Sequence, residues 1–303
     1  MKSLIFTIST MCILLFVSSC KNEISSDCKR LGLNTTVKSV QVKTYEAESK
    51  FGEIVRGDLD WDGNYLALFD EEGNLTSITD FDDDGELDSK TIFAYDDRNR
   101  LITYTQYDWN GDVDISFEYV YDENYLVKLN KKIFEKVYLT EYKRNGEEIQ
   151  ESINSVDGEI EETAKYIESS LTRASYVVYD NEGKELRTEH EEYDKDGRLL
   201  KQIKNTGAET DTTIWIYNKI GYLTEMSTTE YKGEIKYNDK NLPIYIKGGD
   251  LYHNTEVALG SWNEDKVYYL EYEYDDKGNW IKQIVYEGEI KKPYTISDRT
   301  IVY

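Results

Sequence analysis

Apolar and polar residues alternate with a period of two along most of the chain. From Val113 to Tyr121 the odd positions hold Val, Ile, Phe, Tyr and Tyr, and the even positions are mostly polar. The segment from Leu101 to Tyr107 is similarly rich in β-branched and aromatic residues, which favour strands. A period of two is typical of a strand with one buried face and differs from the period of a helix. The pattern therefore predicts an all-β protein.

A short motif separates these strands: an aromatic residue, Asp, two variable residues, Gly, one further residue and Leu. Copies or close variants begin at Phe69, Phe81, Tyr95, Tyr107, Tyr193, Tyr217 and Tyr274, and looser ones at Tyr121, Tyr142, Tyr179 and Tyr237. Between Phe69 and Tyr121 the leading aromatics are 12, 14, 12 and 14 residues apart. This spacing leaves room for strands and turns but not for helices, so it predicts an antiparallel meander of short hairpins.

The motif also predicts how each turn is made. Its Asp is expected to accept backbone N–H groups, and its Gly or Asn to adopt the left-handed conformation. With Phe81 opposite Leu87, Thr79 would pair with Ser89, and Asp80 would lie opposite Asp88. A bulge at the glycine would shift this register by one residue.

Burial is the difficulty for such a sheet, because only 39% of the residues are hydrophobic. The 27 Tyr residues help, since a tyrosine ring covers apolar surface while its hydroxyl stays in water. We therefore expect a long, strongly twisted sheet that curls on itself, open or partly closed, with one face lined by Tyr, Phe and Leu.

The N-terminus has the features of a lipoprotein signal. A positive residue, Lys2, precedes the apolar stretch Leu4–Val17, and Val17-Ser18-Ser19-Cys20 has the form of a lipobox. The alternative is an ordinary signal peptide cut nearby, with Cys20 incidental. The prediction is a chain lipidated at Cys20 and held at the outer membrane, facing the periplasm or the cell surface. Its expected parts are a signal peptide (1–19), a tether (20–36) and a β domain (37–303) with an irregular section at about 127–175.

Charge excludes one class of partner. The chain has 36 basic and 60 acidic residues and a net charge of -24. Such a charge repels nucleic acid and other polyanions. The expected membrane contact is therefore the lipid anchor alone.

The repeats carry a resemblance to a known family. The YDxxGxL units, the stretch EYDDKGNWIKQIVYEGE (Glu273–Glu289) and VKSVQVKTYEAESKFGEI (Val37–Ile54) resemble YD-repeat or RHS-repeat-like proteins. The likeness is strongest to short YD-repeat lipoproteins of Bacteroidota. In large RHS proteins such repeats form a hollow β shell around cargo. The present chain lacks the length, the protease core and the toxin tip of those proteins, so the resemblance implies an open or partly curled sheet and carbohydrate binding.

The most acidic turn is the main candidate for a metal site. Asp80, Asp82, Asp84, Glu86 and Asp88 match the first part of a calcium loop. The twelfth position of that loop is Thr91 instead of an acid, and no helix is expected beside it. Because the repeat itself requires Asp and Gly in turns, we interpret these residues as turn formers, with calcium as the alternative and no other cofactor expected.

Three tryptophans are candidates for ligand stacking. Trp61 and Trp109 lie in Asp/Gly turns, and Trp280 replaces the closing Leu of its motif. They would stack on sugar rings, or else each would cover the end of the aromatic face.

The two histidines, His190 and His253, have no zinc spacing, and no nucleophile elbow is present, so we expect no enzyme. The predicted function is a lipid-anchored, non-catalytic binding or scaffold module for a glycan or a protein. The alternatives are a structural, protective or immunity-like envelope lipoprotein and a calcium-binding β-repeat.

Overall fold

The computed structural model of the chain describes residues 26–252, 256–259, 265–288 and 291–303. The predicted signal peptide and lipidation site Cys20 lie outside the described residues. Within them, one short helix, α1 (Ser26–Arg30), precedes 23 strands. The strands are β1 (Ser39–Lys50), β2 (Glu53–Leu59), β3 (Asn64–Phe69), β4 (Leu75–Phe81), β5 (Leu87–Tyr95), β6 (Leu101–Asp108), β7 (Val113–Asp122), β8 (Tyr125–Ile133), β9 (Lys136–Asn145), β10 (Glu148–Val156), β11 (Glu159–Ser169), β12 (Arg173–Asp180), β13 (Glu185–Tyr193), β14 (Leu199–Asn205), β15 (Thr210–Tyr217), β16 (Leu223–Ser227), β17 (Lys232–Tyr237), β18 (Pro243–Lys247), β19 (Gly249–Tyr252), β20 (Glu256–Leu259), β21 (Val267–Tyr274), β22 (Trp280–Glu287) and β23 (Lys292–Val302).

The main sheet closes on itself. Strand β1 pairs with β3 along one edge and with β23 along the other, so Val40 lies between Ala67 and Ile301. From β3 to β23, each strand of the ring pairs antiparallel with the next one along the chain. Strand β18 pairs with β21, because the chain leaves the ring between them to form β19 and β20. Among the strands of this main sheet in the described part of the chain, only β2 stays outside the ring, where it pairs with the far half of β1. The prediction of an open or partly closed sheet was therefore wrong: the fold is a closed antiparallel β-barrel, in which both edges of β1 are used.

The motif turns follow the predicted chemistry. In the turn from Phe81 to Leu87, Asp82 Oδ1 accepts the N–H groups of Asp84 at 3.1 Å and Glu86 at 2.8 Å. Gly85 has a φ of 78°, in the left-handed region. Equivalent turns use the same hydrogen bonds: the backbone N–H groups two and four residues later donate to a side-chain oxygen of the leading Asp or Asn. The acceptors are Asp96, Asp108, Asp180, Asp194, Asn218, Asn238 and Asp275.

The strand register differs from the simplest prediction by one residue. Phe81 pairs with Leu87 as expected, but a bulge follows Asp80, so Thr79 pairs with Lys90 and Asp80 with Ser89. The bulge adds one residue on the turn side of the ladder. Asp80 consequently does not face another carboxylate and instead accepts a hydrogen bond from Ser89 Oγ at 3.1 Å.

The section about 127–175 contains regular strands joined by shorter turns. Two-residue connections link β7 to β8, β8 to β9, β9 to β10 and β10 to β11. Glu123, Phe134, Asp157 and Gly158 in these turns have positive φ, as tight hairpin turns require. The loss of the 12/14 spacing therefore reflects a change of turn type.

One face of the ring is buried along part of its circumference. In β1, Val40 and Val42 are buried whereas Gln41 and Lys43 are exposed. In a closed barrel the more buried face is the inner one, so the alternation separates an inner apolar face from an outer polar one. No helix in the described part of the chain has the length and apolar character needed to cross a membrane.

Two inserted elements fill one sector of the interior. The N-terminal segment (residues 26–37) packs Cys28, Leu31 and Leu33 against inner residues of β1, β3 and β4 and against Trp280. The β19–β20 hairpin places Val257 and Leu259 on the inner residues of β17, β18 and β21. We call the part of the barrel around these clusters the filled sector.

Hydrogen bonds fix the N-terminal segment at one end of the barrel. Asp27 accepts the Leu75 N–H at 3.0 Å and the Tyr95 hydroxyl at 2.8 Å. Asn34 donates its backbone N–H to Asn279 Oδ1 at 2.7 Å. These partners lie in or directly beside the turns after β3, β5 and β21, which share one end of the barrel. The turns after β2, β4, β6 and β8 lie at the opposite end, here called the loop end. The stretch expected to be a tether is thus part of the fold from Ser26 onward.

The turn bonds lead to a stability prediction. Replacing Asp82 by Ala removes the acceptor of two backbone N–H groups and is expected to lower the free energy of unfolding by about 1 kcal/mol. The matched control is Asp83→Ala at the exposed neighbouring position of the same turn, where a change within about 0.5 kcal/mol is expected. Urea denaturation of both variants measures the difference, and equal losses would contradict this role of Asp82. For each variant, the melting temperature in EDTA should equal the melting temperature in calcium.

Candidate functional site

Outside the filled sector, the inner face of the barrel is only partly covered. Along β5 to β7 the inner rings form a ladder: Phe93 contacts Tyr104 with a centroid distance of 5.4 Å, and Tyr104 contacts Phe117 at 5.3 Å. Tyr119 stacks beside Phe117 at 6.3 Å and remains half-buried. This uncovered part of the inner face, from β7 to β16, is called the open sector.

A network of charged and polar side chains occupies the inner face of β11 to β14. On β13, Arg187, Glu189 and Glu191 stand at alternate positions, so all three point to the interior. Glu189 is the most buried of them, with 6% of its surface exposed. Its carboxylate accepts a hydrogen bond from Arg187 Nε at 2.6 Å and lies 4.0 Å from Lys204 Nζ. This set, with Glu162, Tyr176, Tyr193 and Gln202, is called the inner network.

Arg187 joins two carboxylates. Its Nη1 and Nη2 donate to the two oxygens of Glu162 at 2.7 and 3.0 Å, while its Nε serves Glu189. A two-pronged guanidinium–carboxylate pair is geometrically specific as well as charge-assisted. These hydrogen bonds, Glu162 first, raise the pKa of Arg187 above its ordinary value.

Glu191 is held by neutral donors. Tyr176 donates to Glu191 at 3.0 Å and Gln202 Nε2 at 2.9 Å, and Tyr193 donates to its second oxygen. Burial, followed by the charges of Glu191 and Glu189, raises the pKa of Tyr176 well above its ordinary value. The tyrosine therefore stays a hydrogen-bond donor at neutral pH.

A cavity of about 450 Å³ adjoins the inner network. Gln202 and Lys204 belong to both. Its remaining lining residues are Glu209, Asp211, Thr212, Thr213, Thr228, Thr229 and Glu230. Three acids, one lysine and several hydroxyl groups face this space, which suits a small hydrophilic solute and favours positive charge.

The predicted stacking tryptophans do not lie together. Trp61 and Trp109 are 77% and 67% exposed and lie in separate turns, after β2 and β6, at the loop end. Trp280 is fully buried in the filled sector, where Tyr272 packs at 6.3 Å, so it meets no ligand from solvent. The structure thus provides no shared aromatic platform for a sugar on these three residues.

The acidic turn does not gather into a metal site. Asp82 Oδ1 is occupied by two backbone amides, and Asp80 is bound by Ser89. Asp84, Glu86 and Asp88 are exposed. Throughout the described residues, no group of three or more His, Cys, Asp or Glu side chains is placed to hold a metal ion. The hypothesis of a calcium-binding repeat was therefore wrong.

Ring closure also overturns the predicted function. A lipid-anchored binding or scaffold module would use a concave aromatic face open to a glycan or a protein, but that face is the wall of the barrel interior. The structural, protective or immunity-like alternative requires the aromatic face to be fully buried, whereas Tyr119 and Tyr121 remain half-buried. Both predictions were wrong because the closed sheet turns its aromatic face toward an enclosed interior that is only partly filled.

Sequence analysis did not identify the inner network. In the segment Arg187–Tyr193 the charged residues at alternate positions share a face with Tyr193, the aromatic start of a motif. This alternation in step with the motif aromatic Tyr193 was the feature of the sequence that could have revealed the inner network. It was hidden because acidic residues are common throughout this chain and usually lie on solvated faces.

Comparison with known proteins adds little to this picture. No family model matches the chain, and no curated protein matches it, so the resemblance to YD-repeat proteins stays a prediction. Among solved structures, a porin-like protein from Bacteroides uniformis ATCC 8492 has a TM-score of 0.32 at 11% identity. A porin-like protein from Bacteroides vulgatus ATCC 8482 has a TM-score of 0.27 at 12% identity. Each match covers 88% of this chain and 98% of the other. Likenesses at these TM-scores carry no argument about function. The closed antiparallel barrel itself fits an outer-membrane location.

The inner network is expected to contribute to stability. Glu189→Gln leaves Arg187 with one carboxylate and places a neutral amide in a buried ionic site, so the free energy of unfolding should fall by about 2 kcal/mol. Glu192→Gln is the control, because Glu192 lies on the outer face of the same strand with 41% of its side chain exposed. A change within about 0.5 kcal/mol is expected there. Equal effects in chemical denaturation would show that Glu189 has no special role.

The buried tyrosines predict loss of stability in alkali. Burial raises the pKa of Tyr104, Tyr237 and Tyr272 above the ordinary value, so the folded state keeps their protons when the unfolded state has lost them. Their contribution is fully present below about pH 10 and decreases as the pH rises above it. Tyrosinate absorbance and circular dichroism should therefore change together above this pH. Ionisation of all tyrosines while the fold persists would contradict the expectation.

Proposed function

We propose that the chain forms a barrel whose water-accessible interior admits small hydrophilic solutes, with a preference for cationic ones. The role is non-catalytic. The observation that carries the proposal is the open sector, where half-buried tyrosines and the inner network face an uncovered interior instead of a packed core. Apolar side chains would fill that interior if the barrel served only as a scaffold.

The charge preference follows from the cavity beside the inner network. Glu209, Asp211 and Glu230 outnumber Lys204, the only base that lines it in the described part of the chain. The overall charge of -24 acts in the same direction. Acidic walls of low dielectric constant concentrate cations and slow the entry of anions.

The outer wall bears on where the barrel resides. Strands β16, β17 and β18 have 5, 6 and 5 residues, whereas a strand that crosses a bilayer needs about 9–11. Outward charges form cross-strand pairs, such as Lys232 with Glu225 at 2.9 Å and Lys282 with Glu273 at 3.1 Å. A lysine facing lipid costs about 2–4 kcal/mol at the bilayer midplane. We therefore propose that a lipid on Cys20, and not the wall, holds the barrel at the outer membrane.

Thiol accessibility tests entry into the interior. Gln202→Cys places a thiol on the inner face of β14, and Lys201→Cys places one on the outer face at the adjacent position. Both are made in the full chain, where Cys28 is fully buried and the parent protein supplies the background rate. The inner cysteine should react with a small cationic thiosulfonate. The ratio of its reaction rate with this reagent to its rate with an anionic thiosulfonate should exceed the same ratio for the outer cysteine by roughly tenfold.

The outcomes separate the parts of the proposal. An inner cysteine as unreactive as Cys28 would show that the interior admits no solute. If the inner cysteine reacted equally well with cationic and anionic reagents, only the proposed preference for cations would be wrong, and entry of solutes would stand. Ion conductance by the purified protein in planar bilayers would place the wall in the membrane and contradict the lipid-tethered arrangement.

A further inference from the structure

Arg299 is a buried cation without a counter-charge in the described part of the chain. It lies on the inner face of β23 in the filled sector and is 5% exposed. Its guanidinium stacks on Trp280, with Cζ 4.4 Å from the ring centroid, and its Nη2 donates to the Leu31 carbonyl at 2.7 Å. The Nε and Nη1 groups have no hydrogen-bond partner among the described residues.

Nearby groups do not neutralise this charge. Those that act on Arg299 electrostatically are Tyr65, Tyr303, Cys28 and Asp275, and Asp275 is the only carboxylate among them. The Asp275 carboxylate is occupied by the Tyr303 hydroxyl and by the Asn279 and Lys277 amides. Burial lowers the pKa of Arg299 to about 10, so the guanidinium is still charged at neutral pH. A buried charge with no partner is strongly unfavourable.

Further unused donors lie in the same packed region. Trp280 Nε1 and Thr35 Oγ1 are buried without a partner within the described ranges. Thr35 follows Asn34, which bonds to the turn residues Gly278 and Asn279 directly before Trp280. Guanidinium and indole N–H groups only donate, and a hydroxyl can do so. A water molecule would need acceptors as well, whereas an anion needs donors and a positive charge.

We propose that Arg299 and Trp280 bind a small monovalent anion of the size of chloride, which holds the N-terminal segment against the barrel wall. This site is separate from the open sector and does not depend on the solute proposal. The anion accepts a hydrogen bond from one of the two unpartnered groups of Arg299, Nε or Nη1, and offsets the buried charge, while Nη2 keeps its bond to Leu31. Because the protein carries a net charge of -24, chloride has no general reason to accumulate on it, so an effect of chloride identifies a specific site.

Thermal unfolding of the full chain tests the site. The melting temperature is compared in sodium chloride and in sodium gluconate at equal ionic strength, since gluconate screens charge but is too large for a buried site. Chloride is expected to raise the melting temperature by roughly 2–4 °C above gluconate. Arg299→Met should remove this increment. Arg187→Met is the control, because Arg187 already has two carboxylate partners and its loss should leave the chloride increment unchanged.

Bromide quenching gives a readout that does not depend on a variant of Arg299. Bromide bound beside the Trp280 indole should quench its fluorescence with a saturable dependence on concentration. The exposed residues Trp61 and Trp109 should contribute only linear, collisional quenching. Trp280→Phe should abolish the saturable component. Equal melting temperatures in the two salts, or purely linear quenching of the native protein, would overturn the proposal.

Discussion

The double pairing of β1 is the constraint on which the rest of the structure depends. Its first half bonds to β3 on one side and to β23 on the other, which joins the beginning of the sheet to its last strand. Side chains reinforce the seam on both faces: Thr44 Oγ1 lies 3.0 Å from Ser297 Oγ inside, and Arg56 pairs with Asp298 at 2.6 Å outside. Closure leaves the ring without free edges, and it gives the aromatic face of every strand an enclosed space.

A ring of this many strands encloses more space than its own side chains fill. The chain resolves this in two ways. In the filled sector it brings in the N-terminal segment and the β19–β20 hairpin, which supply the apolar side chains that complete two compact clusters. In the open sector it lines the wall with tyrosines and with the inner network, in which Glu189 and Glu191 satisfy the hydrogen-bonding groups of Arg187, Tyr176 and Gln202. A polar network with paired members tolerates water nearby, which an apolar lining does not.

Local features were predictable from sequence and non-local ones were not. The role of Asp82 and the left-handed Gly85 follow from turn chemistry over a few residues. The one-residue bulge after Asp80 depends on the backbone of the partner strand, so the register remained open to a shift. Trp280 occupies the position of an ordinary closing Leu, and its burial depends on distant parts of the chain, since the N-terminal segment, Tyr272 and Arg299 pack against it. Closure requires a contact between Val40 and Ile301, which turn spacing cannot encode.

The same distinction explains where chemistry is found in this barrel. Motif turns repeat with little variation because each must satisfy the same backbone groups, so their Asp residues are committed to structure even where they resemble ligands. Residues between turns are free to differ, and on β13 that freedom places Arg187, Glu189 and Glu191 in the interior. The filled sector holds the fold together through apolar burial, and the open sector is therefore free to carry charge. Under the proposed function, selectivity for a solute resides in a few inward positions of β11 to β15, where substitutions alter the interior without breaking either the turns or the seam at β1.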